Sequence, residues 1–67
     1  MIQLSVNGLP RQVEPGANIQ RLLDELELRG KRVAVEKNGE IVPRSRYVDT
    51  RLADGDTLEI VVAVGGG

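Results

Sequence analysis

Asn-Gly occurs twice in this sequence, at Asn7-Gly8 and at Asn38-Gly39, each time beside short alternating or apolar runs. It is the strongest short hairpin signal, because both central positions of a type I′ turn want φ > 0. Between the two turns lies one stretch of helical periodicity. Ile19, Leu22, Leu23 and Leu26 fall at i, i+3, i+4 and i+7. Two hairpins separated by one amphipathic helix leave few ways to fold.

The first hairpin opens with Ile2, Leu4 and Val6 alternating with Gln3 and Ser5, a strand with one buried face. A second strand runs from about Leu9 to Val13, and Pro10 suits it to an edge position. Pro15-Gly16 breaks that strand, and Asn18 reads as a helix N-cap. Asp24, Glu25 and Glu27 occupy the solvated sides of the helix. Glu25 with Arg29, and Glu27 with Lys31 if the helix lasts that far, are favourable i,i+4 pairs, and Gly30 is expected at C′. Val33 and Val35 alternate before the second Asn-Gly, and Ile41-Val42 forms a brief strand ended by Pro43. Arg44 to Arg51 is irregular, with one turn of helix expected to bury Tyr47 and Val48. Ala53-Asp54-Gly55-Asp56 is a turn and lacks the further ligands of a calcium loop. Thr57 to Val64 is the last and longest strand.

The order is therefore β-β-α-β-β-β. A lone helix between a hairpin and later strands lies on one face of one sheet, and a right-handed crossover sets the first and last strands parallel and adjacent. That is an α+β fold, the ubiquitin-like β-grasp: a mixed sheet with one helix packed on one face and the other face open. The expected core is Ile2, Leu4, Val6, Ile19, Leu22, Leu23, Leu26, Val35, Leu58, Ile60 and Val62. Strand parity then turns Glu59, Val61 and Ala63 outward, which makes Val61 and Ala63 candidates for partner docking.

Composition narrows the chemistry. The chain has no cysteine and no histidine, so it offers no thiol nucleophile, imidazole base or ordinary zinc site. No Ser-His-Asp or Cys-His arrangement can be assembled. The expectation is no catalytic residue, no metal and no bound cofactor. Nine basic against ten acidic side chains, net charge −1, argues against nucleic-acid binding. No apolar run approaches membrane-spanning length, and Met1 opens directly into a strand, which points to a cytoplasmic protein, monomeric when free.

The last strand leads straight into Gly65-Gly66-Gly67. Residues 1–64 read as one β-grasp domain and 65–67 as a flexible C-terminal glycine tail. Three residues without side chains can thread a narrow slot, and the one reactive group at the tip is the α-carboxylate of Gly67. The plain alternative is a frayed terminus.

With these features on view, the sequence resembles the ubiquitin-like sulfur-carrier proteins, most closely the ThiS-type carriers of thiamine thiazole biosynthesis. The resemblance covers the whole chain. It is carried by Gly66-Gly67 directly after the last strand, by the ending AVGGG from Ala63 to Gly67, and by the run NGEIVPRSRY from Asn38 to Tyr47. The resemblance implies that an adenylyltransferase related to ubiquitin-activating enzymes uses ATP to adenylate the Gly67 carboxylate. It implies that sulfur from a cysteine desulfurase then makes a thiocarboxylate, which thiazole synthase consumes. Gly66, Gly65 and Val64 would deliver the terminus. Arg44 and Arg46 receive no role beyond contact with a partner. The same tail and fold also suit a sulfur carrier for molybdopterin synthesis or tRNA thiolation. A β-grasp interaction module with an inert tail is the reading from a different class.

Overall fold

The computed structural model describes residues 1–63. Five strands form one sheet: β1 (Ile2–Val6), β2 (Leu9–Val13), β3 (Val33–Lys37), β4 (Glu40–Val42) and β5 (Thr57–Val62). One α-helix, α1 (Ile19–Glu25), follows β2, and a 3₁₀ turn spans Arg44–Arg46. The strand order is β2-β1-β5-β3-β4. β5 lies at the centre, parallel to β1 and antiparallel to β3, as a β-grasp requires.

Both Asn-Gly pairs make the turns their chemistry calls for. Asn7 and Gly8 have φ of 52° and 83°, and Asn38 and Gly39 have 53° and 85°. Each two-residue loop closes a direct strand pair, Val6 with Leu9 and Lys37 with Glu40. Pro10 sits on β2, an edge strand, where its missing N–H leaves no ladder bond unmade.

The helix begins as expected. Asn18 Oδ1 accepts from the Arg21 N–H at 2.8 Å. The N–H groups of Ile19 and Gln20 donate to the carbonyls of Thr50 and Tyr47, and Asn18 Nδ2 donates to the Val48 carbonyl. The helix start is thus tied to the 47–50 segment.

Its end differs from expectation. The C-cap is Leu26, four residues before Gly30, and Glu27 takes the left-handed conformation at φ 60°. The Leu28 N–H donates to the Leu23 carbonyl at 2.9 Å, and the Glu27 N–H to the Asp24 carbonyl at 3.0 Å. These two bonds make a Schellman close, with a glutamate where glycine is usual. The drive comes from Leu28, which the reversal turns back onto the core. The expected pairs of Glu25 with Arg29 and Glu27 with Lys31 give way accordingly. Glu25 meets Arg21 at 3.4 Å, and Arg29 meets Asp24 at 3.9 Å.

The core joins Leu4, Val6, Ile19, Leu22, Leu23, Val35, Leu58 and Ile60. Val13, Ala17, Tyr47 and Leu52 complete it. Three expected core residues are only partly buried. Ile2 opens β1 and Val62 closes β5, so each has a strand partner on one side only. Leu26 sits at the helix end as its C-cap and packs against the core from there. Val48, expected inside with Tyr47, is 64% exposed. Successive residues of a tight turn point in different directions. Tyr47 takes the inward one and its hydroxyl donates to the Val33 carbonyl.

Candidate functional site

The tail continues from β5, so the site begins with what holds that strand. At its entry, Asn38 pairs with Thr57 as a strand residue would. The Asn38 N–H donates to the Thr57 carbonyl at 2.8 Å, and the Thr57 N–H donates to Asn38 Oδ1 at 2.9 Å. The Asn38 amide nitrogen also donates to Asp56 Oδ1 at 3.0 Å. Asp56 is buried and its other oxygen accepts from the Ala53 N–H at 2.8 Å, with Lys37 Nζ at 3.8 Å. The acidic turn before β5 is therefore structural, as turn chemistry suggested.

At the exit, the backbone pairing of β1 with β5 stops at Val6 and Leu58. The side chain of Asn7 takes over, bonding both the N–H and the carbonyl of Ile60. On the other side β3 accompanies β5 to Val33 and Val62, and the Ala63 N–H donates to the Arg32 carbonyl at 2.9 Å. Both hairpin asparagines thus serve twice, as turn residues with positive φ and as clamps on the last strand. β5 is held along both of its edges, by β1 with Asn7 on one side and by β3 on the other.

Val61 and Ala63 are exposed, with Val61 at 65%, while Leu58 and Ile60 face the core. Register places Ala34 beside Val61 on the open face, and Glu36 between Glu59 and Ile41. Ile41 is 75% exposed. Two carboxylates directly opposite one another disfavour the sheet slightly. The open face therefore carries exposed aliphatic side chains around a like-charged pair next to the root of the tail. Val64, Gly65, Gly66 and Gly67 lie outside the described residues, and so does the domain boundary placed after residue 64.

Among the described residues no group of three or more metal-binding side chains comes together, and no helix is long and apolar enough to cross a membrane. What the geometry offers is a hydrogen-bonded five-stranded sheet with one open face and a central last strand that precedes the glycines in sequence. Sequence reasoning missed the clamping asparagines and the burial of Asp56. The signal was present, since an Asn-Gly turn leaves an amide side chain beside the next strand.

The ThiS family model matches residues 4–67. The chain is 42% identical over 67 residues to the sulfur carrier protein ThiS of Bacillus subtilis, covering 100% of both. It is 44% identical over 66 residues to a thiazole synthase of Paramagnetospirillum magneticum, covering 98% of this chain and 20% of that protein. The chain thus spans about a fifth of that relative's length. The crystal structure of the thiamine biosynthesis protein ThiS of Geobacter metallireducens superposes with a TM-score of 0.83 at 36% identity. That match covers 98% of this chain and 100% of that one.

Proposed function

The chain belongs to the ThiS family, sulfur carriers of thiamine biosynthesis rather than enzymes, and from that premise we propose that it carries sulfur as a thiocarboxylate on Gly67. The observation that carries this reading is the match to a sulfur carrier that extends through the glycines at 65–67. A carboxylate is a poor electrophile. An oxygen of the Gly67 carboxylate attacks the α-phosphorus of ATP, pyrophosphate leaves, and the acyl-adenylate becomes attackable. The outer sulfur of a persulfide then adds to the acyl carbon and AMP departs, and a thiol reductant cleaves the resulting acyl disulfide, leaving sulfur in place of one oxygen. ATP is bound by a partner adenylyltransferase and the sulfur comes from a cysteine desulfurase, in the cytoplasm.

The chain's own part is positional. The clamps at Asn7 and Asn38 fix β5, and Val64, Gly65 and Gly66 give reach without side chains. Fixing a reacting group in this way replaces an unfavourable encounter with a local one. Thiazole synthase is the proposed acceptor, and the similarity to a thiazole synthase over nearly all of this chain supports it. Val61 and Ala63 are the proposed docking residues. The test is peptide mapping after incubation with adenylyltransferase, ATP, desulfurase, cysteine and a thiol reductant. Sulfur should be found on the peptide that ends at Gly67.

A further inference from the structure

On the helix side of the molecule a cleft of about 570 Å³ lies between α1, the 28–33 segment and the 3₁₀ turn. Arg29, Lys31, Arg32 and Arg44 line it, four of the nine basic residues in a chain of net charge −1. No carboxylate is among the lining residues. Arg29 meets Asp24, and cations near a helix C-terminus also answer its dipole. Neither reason covers Lys31, Arg32 and Arg44, which form no ion pair among the described residues. The cleft also adjoins the root of the tail, because the Arg32 carbonyl accepts the Ala63 N–H.

We infer that this cleft is a docking site for a carboxylate-bearing segment of an enzyme that receives the tail. The inference rests on the reading that the tail is offered to other proteins. Charge complementarity names the partner chemistry. The character of the cleft favours a protein segment over a phosphate. Phosphate sites gather backbone N–H groups in a nest or at a helix N-terminus. Here exposed cations stand around the part-buried side chains of Leu28 and Val33, a setting for a peptide with both apolar and acidic residues. The cleft is lined by cations, whereas the open sheet face carries the Glu36–Glu59 pair. Two enzymes that act in turn on one tail can thereby recognise different surfaces of the carrier.

The test compares the wild type, the double variant Lys31→Glu/Arg44→Glu and a control, Arg51→Glu. Affinities for the cognate adenylyltransferase and the cognate thiazole synthase are measured by calorimetry at low and high salt. The double variant should lose about tenfold or more in affinity for one of the two enzymes, with unchanged melting, while Arg51→Glu does not. Added salt should weaken that wild-type complex and leave the double variant's affinity nearly constant. Equal losses for both variants, or no loss with either enzyme, overturn the inference. So does sodium tripolyphosphate binding the cleft more tightly than either enzyme does, which would assign it to phosphate. Sulfur transfer to the wild type is followed in parallel. If transfer persists while the double variant binds normally, the cleft assignment alone is wrong. If the wild type takes up no sulfur, the carrier reading has failed first.

Discussion

Asn7 and Ile60 bond to each other as two strand residues would, although one of them uses its side chain. The Asn7 amide nitrogen donates to the Ile60 carbonyl at 3.0 Å, and the Ile60 N–H donates to Asn7 Oδ1 at 2.7 Å. Asn7 also needs φ of 52° for its turn. The two roles separate by mutation. Asn7→Gly keeps the turn and removes the clamp, leaving two part-buried backbone groups without partners. It should cost about 1–3 kcal/mol in chemical denaturation. A glycine variant as stable as the wild type would show that the clamp contributes nothing.

Glu27 closes the helix in a conformation that disfavours any side chain. Glu27→Gly should raise stability by up to about 1 kcal/mol, and Glu27→Val should lower it. Equal stability of the two would mean that the Schellman geometry does not persist in solution.

Leu23 is buried in the core and supplies the carbonyl that closes the helix. Leu23→Ala should cost about 2–5 kcal/mol, a large share of the stability of so small a domain. Thermal or denaturant melting reads this directly. A loss well below that range would mean that the site collapses around the smaller side chain.

The element order, both turns, the N-cap and the buried helix face were legible because each rests on a local pattern, and the parallel pairing of β1 with β5 followed from crossover handedness. Parity placed Val61 and Ala63 on the exposed side for the same reason. The helix end was not legible. Gly30 advertises a stop, whereas Glu27 becomes the left-handed residue because Leu28 must fold back to the core. Leu52 and Ala17 were missed because they lie outside any periodic run, and tertiary bonds such as the Leu52 N–H to the Ala17 carbonyl bring them inside. Val48 was misplaced because apolar character alone does not say which side of a turn faces in. The basic cleft joins residues 29–32 to Arg44, and no periodic run links the two.

Val61 is exposed on the open face beside Ala34. Val61→Asp should leave melting within about 0.5 kcal/mol of the wild type, as surface changes usually do. It should weaken the complex with the adenylyltransferase, read as a faster dissociation rate. Unfolding of the variant would place Val61 in the core, and unchanged binding would remove it from the interface.

The central claim is that Gly67 supplies the reacting carboxylate and that Gly66 is needed to deliver it. On this account a Cβ at residue 66 obstructs delivery of the carboxylate, and misplacing reacting atoms by about 1 Å can cost about 100-fold in rate. The most direct measurement is intact mass after incubation with the adenylyltransferase, ATP and a sulfur donor. It compares the wild type, Gly66→Val and a chain extended beyond Gly67. The wild type should exchange one oxygen for sulfur, and the two variants should stay unmodified while melting as the wild type does. Equal modification of all three, or sulfur mapped to an internal residue, would contradict the account.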